Sequence, residues 1–202
     1  MKLKTRLIWL SLAAILCLLM ATPASAGTVV YDNGPINGTI NAWTISTGSQ
    51  VSDSFTLGSA ATLSGAQIGL WLLPGDSATA VDWSIGTTPF GSDISSGTAA
   101  LAGTFQYNNA LGFDIYESTF SLGGSLAAGT PYYLTLGNLV VSFGDPGYWD
   151  ENDGPSSAYT NAVGVGQIGS ESFQLYTPEP ASMVLLGSGM LIFAGFMRKL
   201  TS

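Results

Sequence analysis

The chain has 202 residues, thirteen acidic against five basic side chains, no histidine and a formal net charge of −8. All five basic residues sit near the ends, at Lys2, Lys4, Arg6, Arg198 and Lys199, so residues 27–177 hold every acid except Glu179, no cation, and a formal charge of −12. That composition excludes nucleic-acid binding, which needs cations to displace counterions from phosphates, repels anionic lipid surfaces, and leaves each acid to be solvated, hydrogen-bonded or neutralised by a metal ion.

At the N-terminus, Lys2, Lys4 and Arg6 precede an apolar run over 7–20, and Ala24 and Ala26 supply the small residues that a signal peptidase reads. The pattern predicts a secretory signal peptide over 1–26, cut before Gly27. Cys17 lies inside the apolar run behind Leu16, where a lipoprotein would want a small residue. It leaves with the signal, so the mature body has no disulfide despite an export route that permits them.

The body, 27–177, is rich in Gly, Ser, Thr, Val and aromatic residues, with turn signals at short intervals and no charged amphipathic helix. This predicts one all-β domain, an antiparallel β-sandwich of jelly-roll-like form. Strands are expected over 28–31, 42–45, 51–57, 62–73, 80–85, 99–107, 112–121, 131–136, 138–143 and 171–176. In the fifth, Val81, Trp83 and Ile85 face one way by strict alternation. The third alternates too, but Asp53 falls among its inward-pointing apolar residues. Asp32-Asn33-Gly34-Pro35, Pro74-Gly75-Asp76, Asp145-Pro146-Gly147 and Asp153-Gly154-Pro155 mark turns.

After Thr177 come Pro178, Glu179 and Pro180, then an uncharged, mostly apolar run over 181–197 that Arg198 and Lys199 stop. The run is at the short edge for a transmembrane helix. The basic pair stays cytoplasmic and so puts the body outside, the side the signal peptide also predicts. The prolines keep their segment extended, which suits a peptide entering a protease cleft. Pro178-Glu179-Pro180, the apolar helix and the basic end, over 178–202, resemble the PEP-CTERM sorting signal of exported bacterial proteins. The resemblance implies that Glu179 and its prolines are the recognition residues. It implies a tail held transiently in the inner membrane and cut by an exosortase, with the protein passing to the cell surface or the extracellular space. "YDNGPINGTINAW" and "GYWDENDGPSSA" are similar to uncharacterised secreted domains that precede such tails, which implies a β-sandwich and no particular activity.

Two constellations in the body are candidate sites. Asp145, Asp150, Glu151 and Asp153 crowd one acidic stretch, and several oxygens on a bendable loop are what calcium requires. Their spacing is not that of an EF-hand, and a solvated turn is the alternative. Tyr31, Trp43, Tyr148 and Trp149, with Asp32 and Asn33, could stack on and hydrogen-bond a sugar, though Trp and Tyr also fill sandwich cores. Catalysis has few tools. Without His, Cys or Lys there is no Ser-His-Asp or Cys-His site, no Schiff base, and no imidazole- or thiolate-bound zinc. Paired carboxylates remain, as in glycosidases, but no spacing singles out a pair. The expectation is therefore not an enzyme but an exported surface or extracellular-matrix protein, structural or adhesive in an exopolysaccharide or biofilm setting. The alternatives are a calcium-assisted carbohydrate-binding module and, third, a carboxylate glycosidase.

Overall fold

The computed structural model describes residues 27–178, apart from 163 and 165. The expected signal peptide and membrane helix, with Ala24, Ala26, Glu179, Pro180, Arg198 and Lys199, lie outside the described residues, and Pro178 closes them. Within them the β-branched and aromatic residues at period two form strands and no helix. In chain order these are Thr28–Asp32 (β1), Asn41–Thr44 (β2), Gln50–Thr56 (β3), Ala61–Leu72 (β4), Ala78–Gly86 (β5), Ser95–Ala100 (β6), Ala102–Asn108 (β7), Asp114–Leu126 (β8), Pro131–Val141 (β9), Tyr148–Asn152 (β10), Ala158–Thr160 (β11), Gly166–Ile168 (β12), Ser170–Glu171 (β13) and Phe173–Thr177 (β14).

The strands make two antiparallel sheets. In the eight-stranded sheet β4 is the spine. Its whole length pairs with β8, which carries β7. Its other edge is shared: Gly65 to Ile68 pair with β14, and Leu70 and Trp71 pair with β10. Beyond these lie β1 on β14 and both β2 and β13 on β10. The second sheet runs β12-β11-β3-β9-β5-β6. Inward-facing Val51, Phe55, Val81, Ile85, Leu134 and Leu136 from this sheet meet Ala66, Ile68, Leu70, Phe120, Trp149, Phe173 and Leu175 from the other, and all are buried. These faces form the packed core that a disulfide-free body needs, and they establish an all-β arrangement to which a sandwich conforms.

The structure departs from the sequence expectation where pairing crosses long distances. The strand expected over 99–107 is two strands. Leu101 carries the chain between sheets, so that β6 pairs with β5 in one sheet while β7 pairs with β8 in the other. The strands expected over 131–136 and 138–143 are one strand, β9, whose register against β5 shifts beside Asn138. Asn138 has φ +49°, a left-handed conformation that Asn tolerates and a bulge requires. Most consequential for function, β10 runs through the middle of the expected acidic loop.

Candidate functional site

Alternation along β3 turns Asp53 inward with Val51 and Phe55, as expected, and all three are buried. Asp53 meets the ends of β1 and β13 at one margin of the core. Its Oδ2 accepts the Glu171 N–H at 2.7 Å, the Ser156 hydroxyl at 2.9 Å and the Asn33 side-chain amide at 3.2 Å, and its Oδ1 accepts the Ser54 N–H at 2.6 Å. Asn33, just past β1, is wholly buried. It accepts the Tyr31 hydroxyl at 2.8 Å, and its amide nitrogen lies 2.7 Å from the Glu171 carbonyl. Ser170 donates to Asn152 at 2.9 Å, and Asn152 donates to the Asn33 carbonyl at 2.9 Å. Burial pushes the Asp53 carboxyl up to about 7 in spite of its four donors. Burial, with the nearby Asp53 and Asp32 charges, pushes the Tyr31 phenol up to about 12.

Glu171 stands beside this network without joining it. It is the direct cross-strand partner of Glu151, so the two side chains leave neighbouring strands on the same face. Glu171 is wholly buried, and neither of its carboxylate oxygens has a hydrogen-bond partner among the described residues. Burial holds its carboxyl well above the usual range, and the charges of Asp53, Glu151 and Asp150 push the same way. Glu151 is half-buried; its Oε2 accepts the Trp43 indole N–H at 2.6 Å and the Asn41 amide at 3.3 Å. Asp150 leaves β10 on the opposite face, under the segment that joins β1 to β2. There it accepts N–H bonds from Gly38 at 2.7 Å, Asn37 at 2.8 Å and the Trp71 indole at 2.6 Å. Its carboxyl is raised by burial against these donors.

This geometry corrects the acidic-loop expectation. Asp150 and Glu151 belong to a strand and point to opposite faces, because side chains alternate along extended backbone. Asp145 and Asp153 lie in the connections beyond either end of β10. Asp145, Asp150, Glu151 and Asp153 therefore do not crowd one loop, and among the described residues no three acidic side chains gather as metal ligands. Nor do the four aromatic residues share a platform. Trp149 is wholly buried, edge-on to Phe173 at 5.8 Å. Tyr31 packs between Phe173 and Phe55, at 5.3 and 5.6 Å. Trp43 is the cross-strand partner of Trp149 and packs against the same core. Tyr148 is on the other face, edge-on to Phe113 at 5.6 Å.

A surface that the sequence did not single out runs across the outer face of the eight-stranded sheet. Register aligns Asp32, Gln174, Gln67 and Thr119 in one row on β1, β14, β4 and β8. Gln174 donates to Asp32 at 2.9 Å, and the Tyr176 hydroxyl lies 2.8 Å from the side-chain oxygens of both Gln67 and Gln174. Two depressions meet at Gln67. One, of about 330 Å³, adds Gln106, Glu117 and Tyr107. The other, of about 530 Å³, adds Tyr176 and Ser121. Asp32 apart, nothing local marks these positions beforehand, because a polar residue on the solvent face of a strand looks the same whether or not a groove passes over it. For Glu171 and its surroundings one signal existed: Asp53 in an otherwise apolar inward row.

At the C-terminal end, residues 177–199 match the PEP-CTERM protein-sorting motif. No curated protein matches the chain.

Proposed function

We propose, for a chain that carries the PEP-CTERM sorting motif and is therefore sorted by exosortase to the cell surface, that the body is a non-catalytic structural or adhesive module working in an exopolysaccharide matrix. The observation that supports this reading is the groove centred on Gln67. Its side-chain amides and hydroxyls donate and accept and the Glu117 carboxylate accepts, which is what ring hydroxyls need, and Tyr107 and Tyr176 offer flat apolar area beside them. A body without a single cation gives no counter-charge to a polyanion, so the reading favours neutral polysaccharide. A glycosidase would need two carboxylates facing one sugar. Glu117 is the acid among the residues lining the two depressions, which favours holding over cutting.

Affinity electrophoresis of the protein through gels containing a neutral hexose polymer or a polyuronate tests this. The neutral gel is expected to retard migration and the polyuronate gel is not. Replacing Gln67 and Gln174 together by Ala removes hydrogen-bonding groups worth about 1 kcal/mol each, so retardation should weaken roughly ten- to thirtyfold with the melting temperature preserved. Equal retardation by both gels, or full retardation of the double variant, would overturn the assignment.

A further inference from the structure

The inward face at the β10–β13 pair poses a problem of charge. Glu151 and Glu171 oppose each other directly, and like charges in that position destabilise a sheet. Glu171 is wholly buried, with both oxygens unpartnered among the described residues, an expensive state for a carboxylate. No side chain in 27–177 carries a positive charge, so no residue of the body can offset it. Asp53, the third acid nearby, has its oxygens taken by four donors and brings no positive charge. On Glu151, the Trp43 and Asn41 donors both take Oε2. Oε1 lies against Gly169, where a Cβ would stand 2.5 Å from it. Three carboxylate oxygens, two on Glu171 and one on Glu151, thus belong to side chains on one face, with no donor to them among the described residues.

We propose that Glu151 and Glu171 hold a divalent cation of the calcium type at this margin, where the two sheets close on each other. The donors are hard oxygens with no thiolate or imidazole, which suits calcium over zinc or copper. Two carboxylates make half a coordination sphere, and backbone carbonyls and water complete it. Such a site is weak, with a dissociation constant on the order of 10⁻⁴ to 10⁻³ M, the range of extracellular modules. The ion binds the folded state and pins β13, a strand of two residues, to β10. Its contribution is structural, distinct from the groove on the outer face.

The test is thermal melting of the exported protein, stripped with chelator, in rising calcium chloride against sodium chloride at matched ionic strength. At about ten times its dissociation constant, calcium should favour folding roughly tenfold and raise the melting temperature by a few degrees beyond the control. Glu171→Gln and Glu151→Gln should each abolish that rise. Asp145→Asn combined with Asp153→Asn should leave it intact. Glu171→Gln keeps the shape and removes the like charge, so it should fold without calcium. No rise beyond the sodium control, or a rise that survives in Glu171→Gln, overturns the proposal. Calcium-independence together with a Glu171→Gln variant that melts like the parent shows that Glu171 simply keeps its proton.

Discussion

Asn33 shows how much one side chain holds here. It accepts from Tyr31 and donates to Asp53 and the Glu171 carbonyl, tying the end of β1 to both sheets. Removing it leaves buried polar groups without partners, each at a cost of about 1–3 kcal/mol. Asn33→Ala should therefore lower stability by at least that much, seen as a lower urea midpoint with an unchanged slope. Tyr31→Phe removes one hydroxyl from the same network and should cost less. A midpoint for Asn33→Ala equal to the parent's would mean the network contributes nothing. Trp149 shows the opposite trade. A residue suited to a sugar platform is spent on the core instead, its indole N–H donating to the Ser172 carbonyl at 2.9 Å.

Among the elements, β5 is held by more than its backbone ladder. Asp82 accepts from the Thr98 hydroxyl on β6 and from the Asn138 amide on β9 at 2.8 Å. These bonds, Thr98 first, hold its carboxyl below the ordinary 3.8. A carboxylate depressed on folding contributes stability that is present above its unfolded pKa and lost as pH falls through the folded one. Asp82 is only partly buried and open to solvent screening, so the effect on stability is small. The sharper readout is its NMR titration, which should lie below 3.8 in the parent and move up in Thr98→Ala. No movement would sever the link between β6 and this carboxyl. At the next margin, Leu101 crosses between the sheets with its N–H on the Thr79 carbonyl at 3.0 Å, so β6 and β7 serve different sheets without a loop.

For the whole molecule, the C-terminal motif and the folded body act in sequence. The motif directs a membrane-anchored intermediate toward exosortase and then the surface. Glu179 lies at the centre of Pro178-Glu179-Pro180, so Glu179→Ala should trap the protein in the membrane fraction. The parent should be released with a mass that lacks Arg198 and Lys199. A released parent that keeps both residues would make the tail a lasting anchor. The body, 27–177, has no lysine, arginine or histidine, so no salt bridge between side chains can contribute to its stability. That stability rests on the apolar interior, on the hydrogen bonds around Asp53, and, by the inference above, on an ion between Glu151 and Glu171.

What the sequence settled by itself was local or periodic. The sorting motif is contiguous, so its residues identify it without a fold. The alternation in β3 and β5 placed Val51, Phe55, Val81 and Ile85 in the core, and it flagged Asp53 as an inward acid before any partner was known. The tertiary structure decided which strands meet. Tyr148–Asn152 is a strand because β2, β4 and β13, remote in the chain, supply its hydrogen bonds, and no local pattern announces them. Once it is a strand, Asp150 and Glu151 must part to opposite faces, and an apparent acidic loop dissolves. Glu171, isolated in sequence, becomes Glu151's neighbour only through that pairing. The row of Asp32, Gln174, Gln67 and Thr119 likewise exists only in register, because cross-strand neighbours are set by long-range pairing rather than by proximity along the chain.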